Sequence, residues 1–92
     1  MSDLILNLKK KWFDQIRSGK KIVEYREIKS HWEKRLEGKT YDKILIVLGY
    51  PKTRTPENTI IFKWSGVKRI LLKHEEFGNE SKPVFAIPLV KE

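Results

Sequence analysis

The spacing of apolar and polar positions changes repeatedly along this chain, and each change marks an element. Leu4 to Leu8 is a short apolar run of strand length. From Lys10 to Ser18 the spacing becomes helical. Trp12, Phe13 and Ile16 fall on one face, while Lys11, Gln15 and Arg17 face outward. Gly19 follows as the expected C-terminal cap, because a left-handed backbone costs glycine little. Ile22 to Glu27 is β-rich and predicts the second strand. Ser30-His31-Trp32-Glu33 has the form of a capping box and predicts a short helix from His31 to Glu37, stopped at Gly38. Tyr41 to Gly49 holds the continuous apolar run Ile44 to Leu48, which predicts a central buried strand.

The second half is strand-like. Tyr50 to Asn58 is a polar, proline-containing loop and the expected site of greatest mobility. Thr59 to Trp64 and Val67 to Lys73 read as strands, with Ser65-Gly66 between them as a tight turn or a bulge. His74 to Lys82 is an acidic connection with room for one helical turn. Pro83 to Val90 closes the sheet, Pro88 marking an edge or a strand end. Tyr25 alternates away from Glu24 and Arg26 and is expected in the core. The predicted fold is α+β and mainly β: five or six strands as a small, partly open β-barrel, with two short helices near the N-terminus.

Length and composition narrow the classes. A chain of 92 residues is expected to form a single domain over 1–92 with a modest core. It has no cysteine, so it folds without disulfides, which fits a reducing compartment. Met1 to Leu6 lacks the charged start and long apolar run of a signal peptide. No apolar stretch approaches the roughly 20 residues that cross a bilayer. A soluble, cytoplasmic protein is expected, with no membrane partner. The net charge of +8 points to polyanions, RNA or nucleotides first, or else to a solubilising surface.

The chemistry concentrates between Gly19 and Arg26. Glu24 and Arg26 are two apart, so a strand places them on one face. Arginine offers a planar fork of donors to a phosphate or a base edge, and glutamate accepts from an amino group. Lys21 adds a point charge, but joins them only if the strand begins after it or bulges. The competing reading is a surface ladder of ion pairs, each contributing roughly 0–1 kcal/mol. Lys9-Lys10-Lys11 opens a helix where its dipole disfavours cations, which hints at an external anion. His31 and His74 are far apart without cysteine, so no metal and no cofactor is expected. Trp12 and Trp64 fit core positions, and Trp32 fits either core or base stacking.

The run Gly19, Lys21, Glu24 and Arg26, preceded by Leu6-Asn7-Leu8-Lys9 and by the Trp12/Phe13/Ile16 helix, resembles the signature of the ASCH domains. These are a branch of the PUA-like barrels, and the resemblance spans nearly the whole chain. It implies a cleft between barrel and first helix that takes RNA or a nucleotide. Lys21, Glu24 and Arg26 would line it, with Lys20 and Lys9 beside them. One ASCH branch hydrolyses N4-acetylcytidine. Its lysine matches Lys21, but its nucleophilic threonine falls where this chain has Glu24. On that reading Glu24 is a general base on water, Lys21 stabilises the oxyanion, and Glu75 or Glu76 is a further acid. A third reading is a module docking an acidic protein through Lys9 to Lys11 and the Tyr50–Asn58 loop.

Overall fold

The structure is a computed structural model that describes residues 2–73 and 80–92. Among the described residues it is an α+β fold of two small sheets and two helices. In chain order the elements are β1 (Leu4–Leu8), α1 (Lys10–Arg17), β2 (Val23–Glu27), α2 (Ser30–Leu36), β3 (Lys43–Leu48), β4 (Thr59–Lys63), β5 (Lys68–Lys73), β6 (Ser81–Pro88) and β7 (Val90–Lys91). One sheet has the order β1-β3-β4-β7 and the other β2-β6-β5. Strand β1 runs parallel to β3, from Leu4 beside Ile44 to Leu8 beside Leu48. A parallel pair needs a long crossover, and here the crossover carries α1, β2 and α2, with β2 paired in the second sheet.

Alternation decides the core. Leu4 and Leu6 are fully buried and share a face with Ile44 and Ile46. Phe85 and Ile87 of β6 meet them from the second sheet, with Phe13 and Ile16 of α1 and Leu36 of α2 in the same cluster. Strand β3 is buried from Ile44 to Val47 and lies between β1 and β4, as its unbroken apolar run predicts.

Several sequence expectations differ from the structure. The closing run is two strands rather than one. β6 ends at Pro88, where the proline predicts a strand end, and the N–H of buried Leu89 bonds the Ile22 carbonyl at 2.9 Å, one position beyond the Val23–Pro88 pair of β2 and β6. β7 then begins in the other sheet, which raises the strand count among the described residues to seven. The Ser65-Gly66 stretch is not a tight hairpin turn. Strands β4 and β5 lie in different sheets, and Gly66, at φ 94°, sits in the segment that crosses between them. Trp64 and Val67 pack on the core on either side of it.

The capping box does not form. Ser30 is the first helical residue, Lys29 is the N-cap, and no side chain caps the helix. Glu33 instead joins Glu37 in pairing with Arg69 of β5, whose pKa is raised above its ordinary value chiefly by the hydrogen bond to Glu37. The two sheets are not closed into one continuous barrel by backbone pairing. No helix among the described residues is long and apolar enough to cross a membrane.

Strands β3 and β4 place Lys43 directly opposite Lys63 on one face. Like charges in that position repel. Lys63→Glu is therefore expected to stabilise the protein slightly, by about 0.3 kcal/mol, read as a small rise in Tm that disappears in high salt.

Candidate functional site

Strands β1 and β2 are the facing edges of the two sheets, and the seam between them is closed by side chains. The Ile5 carbonyl on the open edge of β1 accepts from Arg35 of α2 at 3.1 Å. Two residues on, the Asn7 carbonyl accepts from Arg26 of β2 at 3.4 Å. Both guanidinium groups lie against the Trp32 ring, at 4.8 Å for Arg26 and 4.9 Å for Arg35. An exposed strand edge is a row of unpaired backbone groups. Here two arginines held on one indole satisfy it. Trp32 thus packs against the core and carries both guanidinium groups on its ring.

Lys21, Glu24 and Arg26 meet beside this seam. Glu24 is opposite Ile87 and Arg26 opposite Phe85, so both point to the core face of β2. Glu24 is only 4% exposed. Its Oε2 accepts from Arg26 Nη2 at 2.7 Å, and its Oε1 from Lys21 Nζ at 2.8 Å. The phase problem of Lys21 resolves because β2 begins at Val23, after it. Gly19, at φ 85°, ends α1 as expected. The Lys21 N–H then bonds back to the Gln15 carbonyl at 3.0 Å, which anchors Lys21 against the last helical turn. Its ammonium lies 4.8 Å from the Trp12 ring and 5.8 Å from Tyr25. Tyr25 is half-buried on the opposite face of β2, beside Ala86, and not in the core. The alternation along β2 was legible; its inward face is the charged one.

These groups open onto a recess of about 250 Å³ lined by Asn7, Lys9, Trp12, Tyr25 and Leu72 as well as the triad. Lys9 lies at its mouth as the exposed N-cap of α1. Lys20 is exposed on the turn and does not line the recess. The fork of Arg26 keeps one buried donor, Nε, without a hydrogen-bond partner. Trp12 packs against the core and carries both Lys11 (4.6 Å) and Lys21 over its ring. Glu75, Glu76 and His74 lie outside the described residues. His31 is exposed and meets Trp32 edge-on at 5.0 Å. Among the described residues no group of three His, Cys, Asp or Glu side chains is arranged to hold a metal ion.

Sequence reasoning missed a second, larger hollow of about 820 Å³ at the other end of α1. It shares no lining residue with the recess. The Tyr50–Asn58 loop forms one wall. Asn58 ties that loop together, accepting from the Thr55 N–H at 2.8 Å and donating to the Thr53 carbonyl at 3.1 Å. Arg17 holds it to α1 through the Pro56 carbonyl at 2.9 Å. Comparison with family models, curated proteins and solved structures finds no match to this chain.

Proposed function

We propose that the chain is a PUA-like domain of the ASCH type that binds RNA or a nucleotide in the recess between α1 and the β1–β2 seam. The observation that carries this reading is the Lys21–Glu24–Arg26 triad, a buried carboxylate held by two cations at the wall of a hollow. Desolvating three charges is costly, and an apolar cluster of similar volume would often be as stable or more so. A triad of this kind is better accounted for by a ligand than by folding alone. Lys21, Arg26 and Lys9 supply cations to a phosphate. The half-buried ring of Tyr25 offers a face to a base. The two sheets, linked by the chain passing from β6 to β7 and bridged at the arginine seam, suit a partly open barrel. The hydrolase reading asks Glu24 to take a proton from water. Both of its oxygens are engaged by cations, so binding without turnover is favoured.

The test uses fluorescence anisotropy with a labelled RNA octamer, and competition by nucleoside monophosphates. Binding is expected to weaken with rising salt, with a log–log slope of roughly −0.7 for each phosphate contacted. Lys9→Glu separates site from scaffold. Lys9 contributes only backbone to the fold, and an acid at a helix N-terminus is favourable. The variant is expected to bind RNA several-fold more weakly with an unchanged or slightly raised Tm. Absence of binding to both RNA and nucleotides at low salt would end the proposal.

A further inference from the structure

The larger hollow is built differently from the recess. Its floor is aliphatic: Ile16 of α1, Leu45 of β3 and Ile61 of β4, the last 42% exposed. Leu45 and Ile61 are directly paired across the two strands, and the Lys43–Lys63 pair is the next on the same face. Val90 of β7, opposite Lys63, extends that face and is 44% exposed. The side chains of Lys43, Arg54 and Lys91 at the rim have no hydrogen bond or ion pair among the described residues. Asp3 and Glu92 are the two carboxylates that also line it.

We infer that this groove docks an acidic, aliphatic-rich segment of another protein in extended conformation. Charge complementarity chooses the occupant. Two lysines set opposite each other repel in the free protein, and a carboxylate between them removes that repulsion. Spacing chooses its conformation. Along β3 and along β4, an aliphatic side chain and a lysine recur two residues apart on one face. An extended partner presents its own same-face side chains at the same interval, so the matching pattern is an aliphatic residue, any residue, then an acid. The floor argues against a nucleobase. Its only aromatic lining residue, Phe62, is 6% exposed and belongs to the core, so no ring is free for stacking.

The site is independent of the RNA recess, and its test is kept separate. A fluorescein-labelled peptide of Leu-Ser-Glu-Ser repeats serves as the probe, with a Leu-Ser-Lys-Ser peptide as control. The acidic peptide is expected to bind at low salt and the basic one not to bind. Backbone amide shifts should centre on β3, β4 and residues 54 and 55. The double variant Lys43→Glu/Lys63→Glu replaces one like-charge pair by another, so its stability should stay close to that of the parent. Its affinity for the acidic peptide should fall by about tenfold or more. Ile61→Ser should weaken binding too, and Lys9→Glu should leave it unchanged. The proposal is overturned by equal binding of the basic peptide, by undiminished binding to the double variant, or by shifts centred on Lys9 and Lys21. Stronger groove shifts from the RNA octamer or from phosphatidylglycerol vesicles than from the peptide would overturn it as well.

Discussion

Glu24→Gln is expected to lower stability by about 2–4 kcal/mol, a little under the cost of breaking a fully buried ion pair, because its two cations keep some contact with solvent. For a domain of this size that corresponds to a fall in Tm of about 10–20 °C. The glutamine keeps the shape and one acceptor oxygen. Its amide NH2, however, faces a cation where a carboxylate oxygen stood, so either Lys21 or Arg26 loses its partner. The effect on binding should have the opposite sign. With the acid neutralised, the recess gains one unit of positive charge, and RNA should bind more tightly and with a steeper salt dependence. Urea unfolding and anisotropy on the same variant measure both. Loss of RNA affinity in a variant that remains folded would instead mean that Glu24 contacts the ligand, accepting from an amino group of the base.

Much of this site was readable because its logic is local. A helix must end where glycine takes a left-handed backbone, and a strand must begin before the next apolar residue can pair. Those two constraints bring Lys21 within reach of Glu24. Arg26 follows from the two-residue period of a strand. What was not legible depends on partners distant in sequence. Whether Tyr25 or Glu24 faces inward is decided by the register with Ala86 and Ile87. Ser30 and Glu33 carry the capping-box residues, yet Glu33 is drawn to Arg69, thirty-six positions away. The Lys43–Lys63 pair and the groove beside it exist only once β3 and β4 are in register. The split at Leu89 has the same origin. Pro88 marks a strand end locally, but that the chain resumes beside β4 is decided by the pairing of Val90 with Lys63.

Arg26→Ala is expected to destabilise the protein by about as much as Glu24→Gln, but to move RNA binding the other way. The guanidinium has three roles at once: it pairs with Glu24, donates to the Asn7 carbonyl and lies on Trp32. Its removal leaves a buried carboxylate with Lys21 alone and exposes an unpaired carbonyl on the edge of β1, a combined cost of about 2–4 kcal/mol. The recess also loses one cation, so RNA affinity should fall by roughly tenfold and the salt slope should flatten by about one phosphate contact. Arg26→Lys keeps the charge but not the planar fork. It is expected to restore most of the salt slope while recovering less of the stability, since an ammonium cannot hold Glu24, reach Asn7 and cover the indole together. The pair of residues thus separates a scaffold from a site. If the triad only supports the fold, both substitutions lower stability and RNA affinity moves with the folded fraction alone. If it forms a binding wall, the folded fractions fall together while the intrinsic affinities diverge, upward for Glu24→Gln and downward for Arg26→Ala. Titrations corrected for the fraction folded at each temperature discriminate between the two.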